Sequence, residues 1–417
     1  MSSAEVAAEA AAPAPGGGGR PRPAQGWRIV AALAVTQTIG YGVLYYAFSV
    51  FLTPMAADLR AGGTQIAAAL TGSILVAALC APLVGRLLDA RGGRGLMTTG
   101  SVIGTLAVLA WSRVENLPQL YAVFAAIGVA CAMVLYESAF AVIVSWFDGT
   151  GPDHDGGRAN ALLALTVVAG FASTVFLPLT GLLVDSYGWR TALVVLAVIY
   201  GAAAIPLHAL VVRRPARAGR RPATTRERAE IVQAATRRRP FWLLVTAFTA
   251  NGGAVAVMAV LLITYLVHLG HSPVLAATLA GLLGVLSVTG RLLTTGLQRR
   301  LPAALIAAAI FALQGVAAAL LPLAGRTVPG AIGCVLGVGL GFGIASITLP
   351  HLLLQRYGTS AYASLSGRVA AFSVADKALA PLGAVALAQA VGYGWVMAAV
   401  SVACAIAALA LVAYHHV

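Results

Sequence analysis

A chain of 417 residues that is 60% hydrophobic and only 10% charged, with mean hydropathy +0.89, cannot clothe a water-soluble surface of that size. Its net charge of +14 raises nucleic acid as a partner, but the basic residues are sorted by loop, and topology accounts for them without nucleic acid. The apolar residues come in runs of about 20 or more, enough to cross about 30 Å of hydrocarbon, so the chain reads as an all-α polytopic membrane protein in contact with a lipid bilayer.

In chain order, residues 1–26 are rich in Ala, Pro and Gly and lack an apolar core, which predicts a disordered cytoplasmic tail and no signal peptide. Six spans follow at about 28–53, 65–88, 95–113, 118–146, 159–183 and 190–212, making an N-terminal bundle over 27–212. Residues 213–239 are polar and crowded with arginine, a cytoplasmic linker. Within it, Thr224-Thr225-Arg226-Glu227 resembles a helix start, so part of the linker reads either as a surface helix on anionic lipid or as a solvated tether. Six more spans at about 241–268, 273–297, 302–323, 328–354, 365–388 and 394–414 form a C-terminal bundle over 240–417. Of the 27 basic residues, only Arg60, Arg113, Arg190 and Arg326 fall in or beside the odd-numbered loops, and Lys377 falls mid-span. The rest lie in the tail, the even-numbered loops or the span ends next to them, which sets both termini in the cytoplasm of a plasma membrane, of bacterial type.

Two motifs recur at nearly one offset. Gly85-Arg86-Leu87-Leu88 returns as Gly290-Arg291-Leu292-Leu293, and Tyr187-Gly188-Trp189 returns as Tyr393-Gly394-Trp395. The chain is therefore expected to be two pseudo-symmetric six-helix bundles, twelve transmembrane helices in all, around a central site. Cys80, Cys131, Cys334 and Cys404 lie in apolar runs without paired spacing and read as packing residues, with no metal site. Trp27, Trp111, Trp146, Trp189, Trp242 and Trp395 fall at predicted span ends and read as interfacial anchors. Gly333, Gly337, Gly339, Gly341 and Gly343 crowd the tenth span, where small residues permit close packing and bending.

Charges at bilayer depth are costly and mark candidate sites. Lys377 is the only lysine in the chain, and Asp376 beside it points about 100° away on a helix. Lys377 is expected to face the cavity and Asp376 to pair across a helix contact or join proton coupling; a purely structural pair is the alternative. Glu137, in the fourth span, suits proton exchange, or else a hydrogen bond within the helix packing. Arg291 offers a bidentate carboxylate clamp, but could also snorkel to the surface. Weaker cavity candidates are Gln37, Tyr41 and Tyr45, four apart on one helical face, with Asn251 and Tyr265 on the seventh span and Ser346 and His351 on the tenth; each could equally make a packing hydrogen bond.

The loop after the second span matches G-x-x-x-D-x-R-G-x-R through Gly85, Asp89, Arg91, Gly92 and Arg94, and with the two six-span halves the chain resembles the major facilitator superfamily. The resemblance implies that this loop latches the cytoplasmic side, Asp89 sitting near the start of the eleventh helix, where the helix dipole favours negative charge. Tyr45-Tyr46-Ala47-Phe48-Ser49-Val50-Phe51, Gly290-Arg291 and Lys377 look like the oxalate:formate antiporter and monocarboxylate transporter branch. That branch implies an eighth-span arginine and an eleventh-span lysine binding a carboxylate. The rival drug/proton antiporters carry an arginine where Phe124 precedes Gly128 here, and their fifth-helix motif is met only by Gly170, Pro178 and Gly181.

No G-x-x-x-x-G-K-[ST] motif and no clustered nucleophile and base occur, so neither ATP hydrolysis nor enzymatic chemistry is read, and no cofactor is expected. The expected function is secondary active transport of a small organic anion by alternating access, as proton symport or anion exchange, by a monomer. Arg291, Lys377, Tyr41, Tyr45, Gln37 and Asn251 are the candidate substrate contacts, Glu137 and Asp376 the proton groups, and Gly85, Asp89, Arg91, Gly92 and Arg94 the gate. Efflux of a drug-like or secondary metabolite is the alternative.

Overall fold

A computed structural model describes residues 23–147, 152–213, 223–298 and 300–417. Most of the expected tail, the middle of the linker and Arg299 lie outside the described residues. Among the described residues the helices trace twelve spans. The first runs through Pro23–Tyr41, a π-helical turn at Gly42–Tyr46 and Ala47–Asp58; the second and third are Gly63–Arg91 and Gly93–Trp111. The fourth is broken into Leu117–Val134 and Tyr136–Trp146. Pro152–Ala169 begins the fifth, which continues in Ala172–Pro206 and turns back at Gly188 (φ 77°) to become the sixth, closed by Leu207–Val211. A linker helix, Thr225–Thr236, precedes the seventh to ninth spans, Arg239–His268, Pro273–Leu297 and Ala303–Ala324. The tenth is broken into Val328–Gly339 and Ala345–Tyr357, and Tyr362–Val391 and Tyr393–His416 complete the set.

Spans 1–6 pack around Phe48, Trp111, Phe124 and Tyr200, and spans 7–12 around Met258, Leu262, Leu321 and Met397. An even number of spans brings both termini and the linker to one end of the molecule, here called the terminal face. The motif repeat is imperfect at the second hairpin: the left-handed glycine is Gly392 (φ 96°), two residues before the glycine that matches Gly188 in sequence. The linker helix starts as its sequence suggests. Thr224 Oγ1 accepts from the Glu227 N–H at 3.1 Å and Glu227 Oε2 accepts from the Thr224 N–H at 2.5 Å. Val232 and Ala235 bury its inner face.

The tryptophan expectation holds only in part. Trp27, Trp242 and Trp395 are exposed, whereas Trp111 is wholly buried, packed edge-on against Phe51 and Phe124 with its indole N–H directed at Met55 Sδ, 3.0 Å away. Trp146 and Trp189 are also buried. A large ring at a span end turns inward where neighbouring aromatics offer it a dry pocket.

Both broken spans are braced by side-chain amides. Leu135 is extended (φ −81°, ψ −165°), so the helix ladder fails there, and Gln37 Nε2 donates to the stranded Val134 carbonyl at 2.6 Å. In the second half Asn251 Nδ2 donates to Gln314 Oε1 (3.0 Å), and Gln314 Nε2 donates to the Val338 carbonyl (2.8 Å), just before the tenth-span break. Gly341 lies so close to the Gln314 amide that any side chain there would displace it. A bent helix inside a membrane protein survives because such groups re-satisfy its backbone. Gln37→Leu is therefore expected to lower the thermal stability of the purified protein, the unpaired carbonyl costing about 1–3 kcal/mol, while leaving the substrate KM unchanged. A shifted KM at unchanged stability would instead restore Gln37 to the substrate contacts.

Candidate functional site

The two halves meet near the terminal face along the second and eleventh spans. Gly85 packs directly on the Ala363 carbonyl and Gly367 on the Ala81 carbonyl, contacts with no room for a Cβ. Asp89 sits beyond Gly85 at the first turn of the eleventh span. Its Oδ1 accepts from the Ala363 N–H at 3.1 Å and its Oδ2 from the Ser364 N–H at 2.7 Å, two of the donors a helix start leaves without intrahelical partners. Arg91 ends the second span, Gly92 (φ 80°) makes the turn that only glycine adopts without strain, and Arg94 lies in the first turn of the third. At the opposite face the bonds stay within a half: Arg190 with Asp58 at 2.9 Å, Tyr121 with the Gln65 carbonyl at 3.0 Å, and Tyr265 against Tyr393. The bonds that join the halves along these two spans thus lie toward the terminal face, and the region between the halves beyond them is the cleft.

Ser366, Ser373 and Lys377 share one face of the eleventh span at helical spacing. Ser366 Oγ donates to Glu137 Oε2 across the interface at 2.7 Å. The break at Leu135 places Glu137 in the first turn of the Tyr136–Trp146 segment, where the helix start favours a carboxylate. Lys377 lies midway along the eleventh span and is exposed. Its chain crosses Gly252, with Cε 3.2 Å from where a Cβ would stand, and Glu137 and Asp376 are the carboxylates that act on its ammonium through space. Asp376 is pressed against Gly253 of the seventh span, at a helix contact. Paired glycines on the seventh span therefore seat both members of the Asp376–Lys377 pair.

Arg291 also crosses between halves. Its Nε donates to the Gly343 carbonyl at 3.2 Å, beside the tenth-span break, and one terminal nitrogen donates to the Thr166 carbonyl of the fifth span at 3.0 Å. The phenols of Tyr136, Tyr41 and Tyr46 surround it closely enough to feel its charge. Tyr41 lies on Tyr136 with ring centroids 4.6 Å apart, and Tyr45 meets Tyr46 edge-on at 5.3 Å and 86°.

Of the expected residues, the structure brings Tyr41 near Arg291 and Glu137 and Asp376 near Lys377, with Tyr45 joined to the Arg291 group only through Tyr46; Gln37 and Asn251 stand apart from both groups. Both amides are buried and bonded inside their own halves, because each helix break demands a donor. Tyr265 lies in the second half's own core, and Ser346 Oγ donates to the Gly343 carbonyl at 2.7 Å. The π-turn displaces the expected one-face alignment of Gln37, Tyr41 and Tyr45. It closes with the Ala47 N–H donating to the Gly42 carbonyl, and it swings Tyr46 toward Arg291. At its first residue Gly42 packs against the Phe176 ring with no space for a side chain. Sequence reading missed Tyr46 as a cleft residue, and Ser366, whose spacing to Lys377 was a usable signal. It also missed His208, buried between Ser101 Oγ (2.6 Å from Nδ1) and Thr36 Oγ1 (3.0 Å from Nε2).

A family model described as Major Facilitator Superfamily matches residues 33–375. Monocarboxylate transporter 13 of Bos taurus and of Rattus norvegicus each share 25% identity with the chain over 305 residues, covering 72% of this chain and 68% of theirs. The solved fucose:proton symporter of E. coli superposes with TM-score 0.73 at 14% identity, over 92% of this chain and 98% of its own. The human organic anion transporter MFSD10 gives 0.68 at 14%, over 94% and 100%. At such identities the structural likeness speaks for fold, and the family match extends over most of the sequence. Twelve spans in two halves about a charged cleft, together with that match, make the chain a member of the Major Facilitator Superfamily, a membrane transporter and not an enzyme.

Proposed function

We propose that the chain is a secondary active transporter moving small organic carboxylates by alternating access, coupled to protons or to a counter-anion. The carrying observation is that the two cations of the second half, Arg291 and Lys377, both address groups of the first half across the cleft. The halves are 27–212 and 240–417, joined by the 213–239 linker, and work as a monomer. The basic terminal face lies in the cytoplasm, and the membrane is the plasma membrane. The conformation is then outward-facing, in keeping with the fold it shares with the fucose symporter in its outward conformation, TM-score 0.71 at 15% identity. The names of the monocarboxylate and organic anion relatives support an anionic substrate.

Coupling follows from shared charge. A substrate carboxylate and the Glu137 carboxylate compete for one ammonium, so an arriving anion leaves Glu137 to take a proton in place of its share of Lys377. Arg291 and Lys377 clamp the substrate, Glu137 carries the proton, Asp376 holds Lys377 in place, and Asp89 latches the cytoplasmic side. Glu137→Gln in proteoliposomes is expected to abolish accumulation driven by a pH gradient while sparing exchange of labelled for unlabelled substrate. Undiminished proton-driven accumulation would remove Glu137 from the coupling route.

A further inference from the structure

The first-half wall of the cleft is made of tyrosine. Tyr41 packs against Tyr136 and stands 6.5 Å from Tyr45 and 6.4 Å from Tyr46, and Tyr136 stacks on Phe140 at 5.2 Å and 9°. Tyr45, in mid-span, is 38% exposed. The π-turn puts two successive rings, Tyr45 and Tyr46, into a right-angled notch that a regular helix would splay apart. Among the described residues no protein group bonds the four phenol hydroxyls, and those of Tyr41, Tyr46 and Tyr136 are open to the cleft. Arg291 stands beside Tyr41, Tyr46 and Tyr136, and Lys377 acts on Glu137, the residue next to Tyr136.

Resting on the carboxylate reading above, we propose that the substrates are aromatic monocarboxylates, the carboxylate held between Arg291 and Lys377 and the aryl ring seated among Tyr41, Tyr45, Tyr46 and Tyr136. The charge count sets one carboxylate. Arg291, Lys377, Glu137 and Asp376 sum to zero when all are ionised, and one proton on Glu137 leaves a single positive charge to be matched. The wall sets the ring. Aromatic faces and edges offered at right angles favour edge-to-face and offset contacts with another ring, and a short aliphatic acid would leave most of that surface wet. Tyr136 is the specificity residue, because it touches Tyr41 and feels Arg291, joining the two ends of the site.

The test is binding by thermal shift in detergent, followed by uptake into proteoliposomes, with benzoate and phenylacetate set against acetate and lactate. The aromatic acids are expected to bind roughly tenfold more tightly than the aliphatic ones, the gain of one to two good ring contacts. Tyr136→Leu is expected to shrink that ratio severalfold and Tyr136→Phe to keep it, so a loss due to misfolding is told apart from loss of the ring. Aliphatic acids bound and carried as well as aromatic ones would overturn the aryl site while the carboxylate reading stands. If neither class binds or moves, both fall.

Discussion

Lys377→Ala is expected to reduce carboxylate uptake by two orders of magnitude or more in proteoliposomes, with the protein still folded. Removing one partner of a desolvated charge contact costs about 2–5 kcal/mol, roughly 30- to several thousand-fold in binding. Lys377 is well suited to the test because, among the described residues, its side chain has no hydrogen-bond partner on another helix, and its carbon chain crosses Gly252. Arg291→Ala is expected to lose uptake as well, but it also frees the Gly343 and Thr166 carbonyls, so its melting temperature should fall too. Lys377→Arg keeps the charge but places a longer planar group against Gly252, and intermediate uptake is expected. Initial rates measured on size-exclusion-verified protein decide the matter; a Lys377→Ala rate within twofold of the parent would take the clamp apart.

The span pattern was legible because hydrophobic length and loop charge are local properties, and both survive without knowledge of packing. The twelve segments read from sequence match those of the fold within a few residues. Lys377, Glu137 and Arg291 stand out in the sequence for a related reason: ionisable groups at that depth are costly and mark candidate sites. What escaped notice depended on departures from helical periodicity. The π-turn at Gly42–Tyr46 coincides with Gly42 meeting the Phe176 ring, a contact between spans far apart in sequence, and Tyr46 at its end lies near Arg291. The breaks at Leu135 and after Gly339 likewise recruited Gln37, Asn251 and Gln314, turning apparent cavity amides into braces. Glycine density hinted at the second break, where Gly339, Gly341 and Gly343 press on Leu286, Gln314 and Arg291, but no comparable run marked the first. The tryptophans show the same limit from the other side, since Trp111 sits at a span end yet belongs to the core.

Asp89→Ala is expected to open the terminal face. The carboxylate accepts two backbone N–H groups at the start of the eleventh span, each such charge-assisted bond contributing about 1.5–3 kcal/mol before water replaces it. A net loss of about 2–4 kcal/mol shifts a two-state equilibrium by roughly 30- to 1000-fold. The repeat offers no second latch of equal strength. Gly290-Arg291-Leu292-Leu293 copies the first motif, but Thr294 stands where Asp89 would, and its buried hydroxyl has no hydrogen-bond partner. On the second-and-eleventh-span side a carboxylate therefore bonds across the seam beside the glycine contacts, whereas the fifth-and-eighth-span side is held through Arg291 and the Thr166 carbonyl, neutral at one end. Paired spin labels on the terminal-face ends of the second and eleventh spans should report a longer distance in Asp89→Ala and an intermediate one in Asp89→Asn, which keeps one acceptor. Gly85→Ala should give the same lengthening by sterics alone, because its methyl group would run into the Ala363 carbonyl. Agreement between an electrostatic and a steric lesion on one seam would assign the gate to that seam. An unchanged distance in Asp89→Ala would mean that the glycine contacts alone keep the face closed and that Asp89 merely caps a helix.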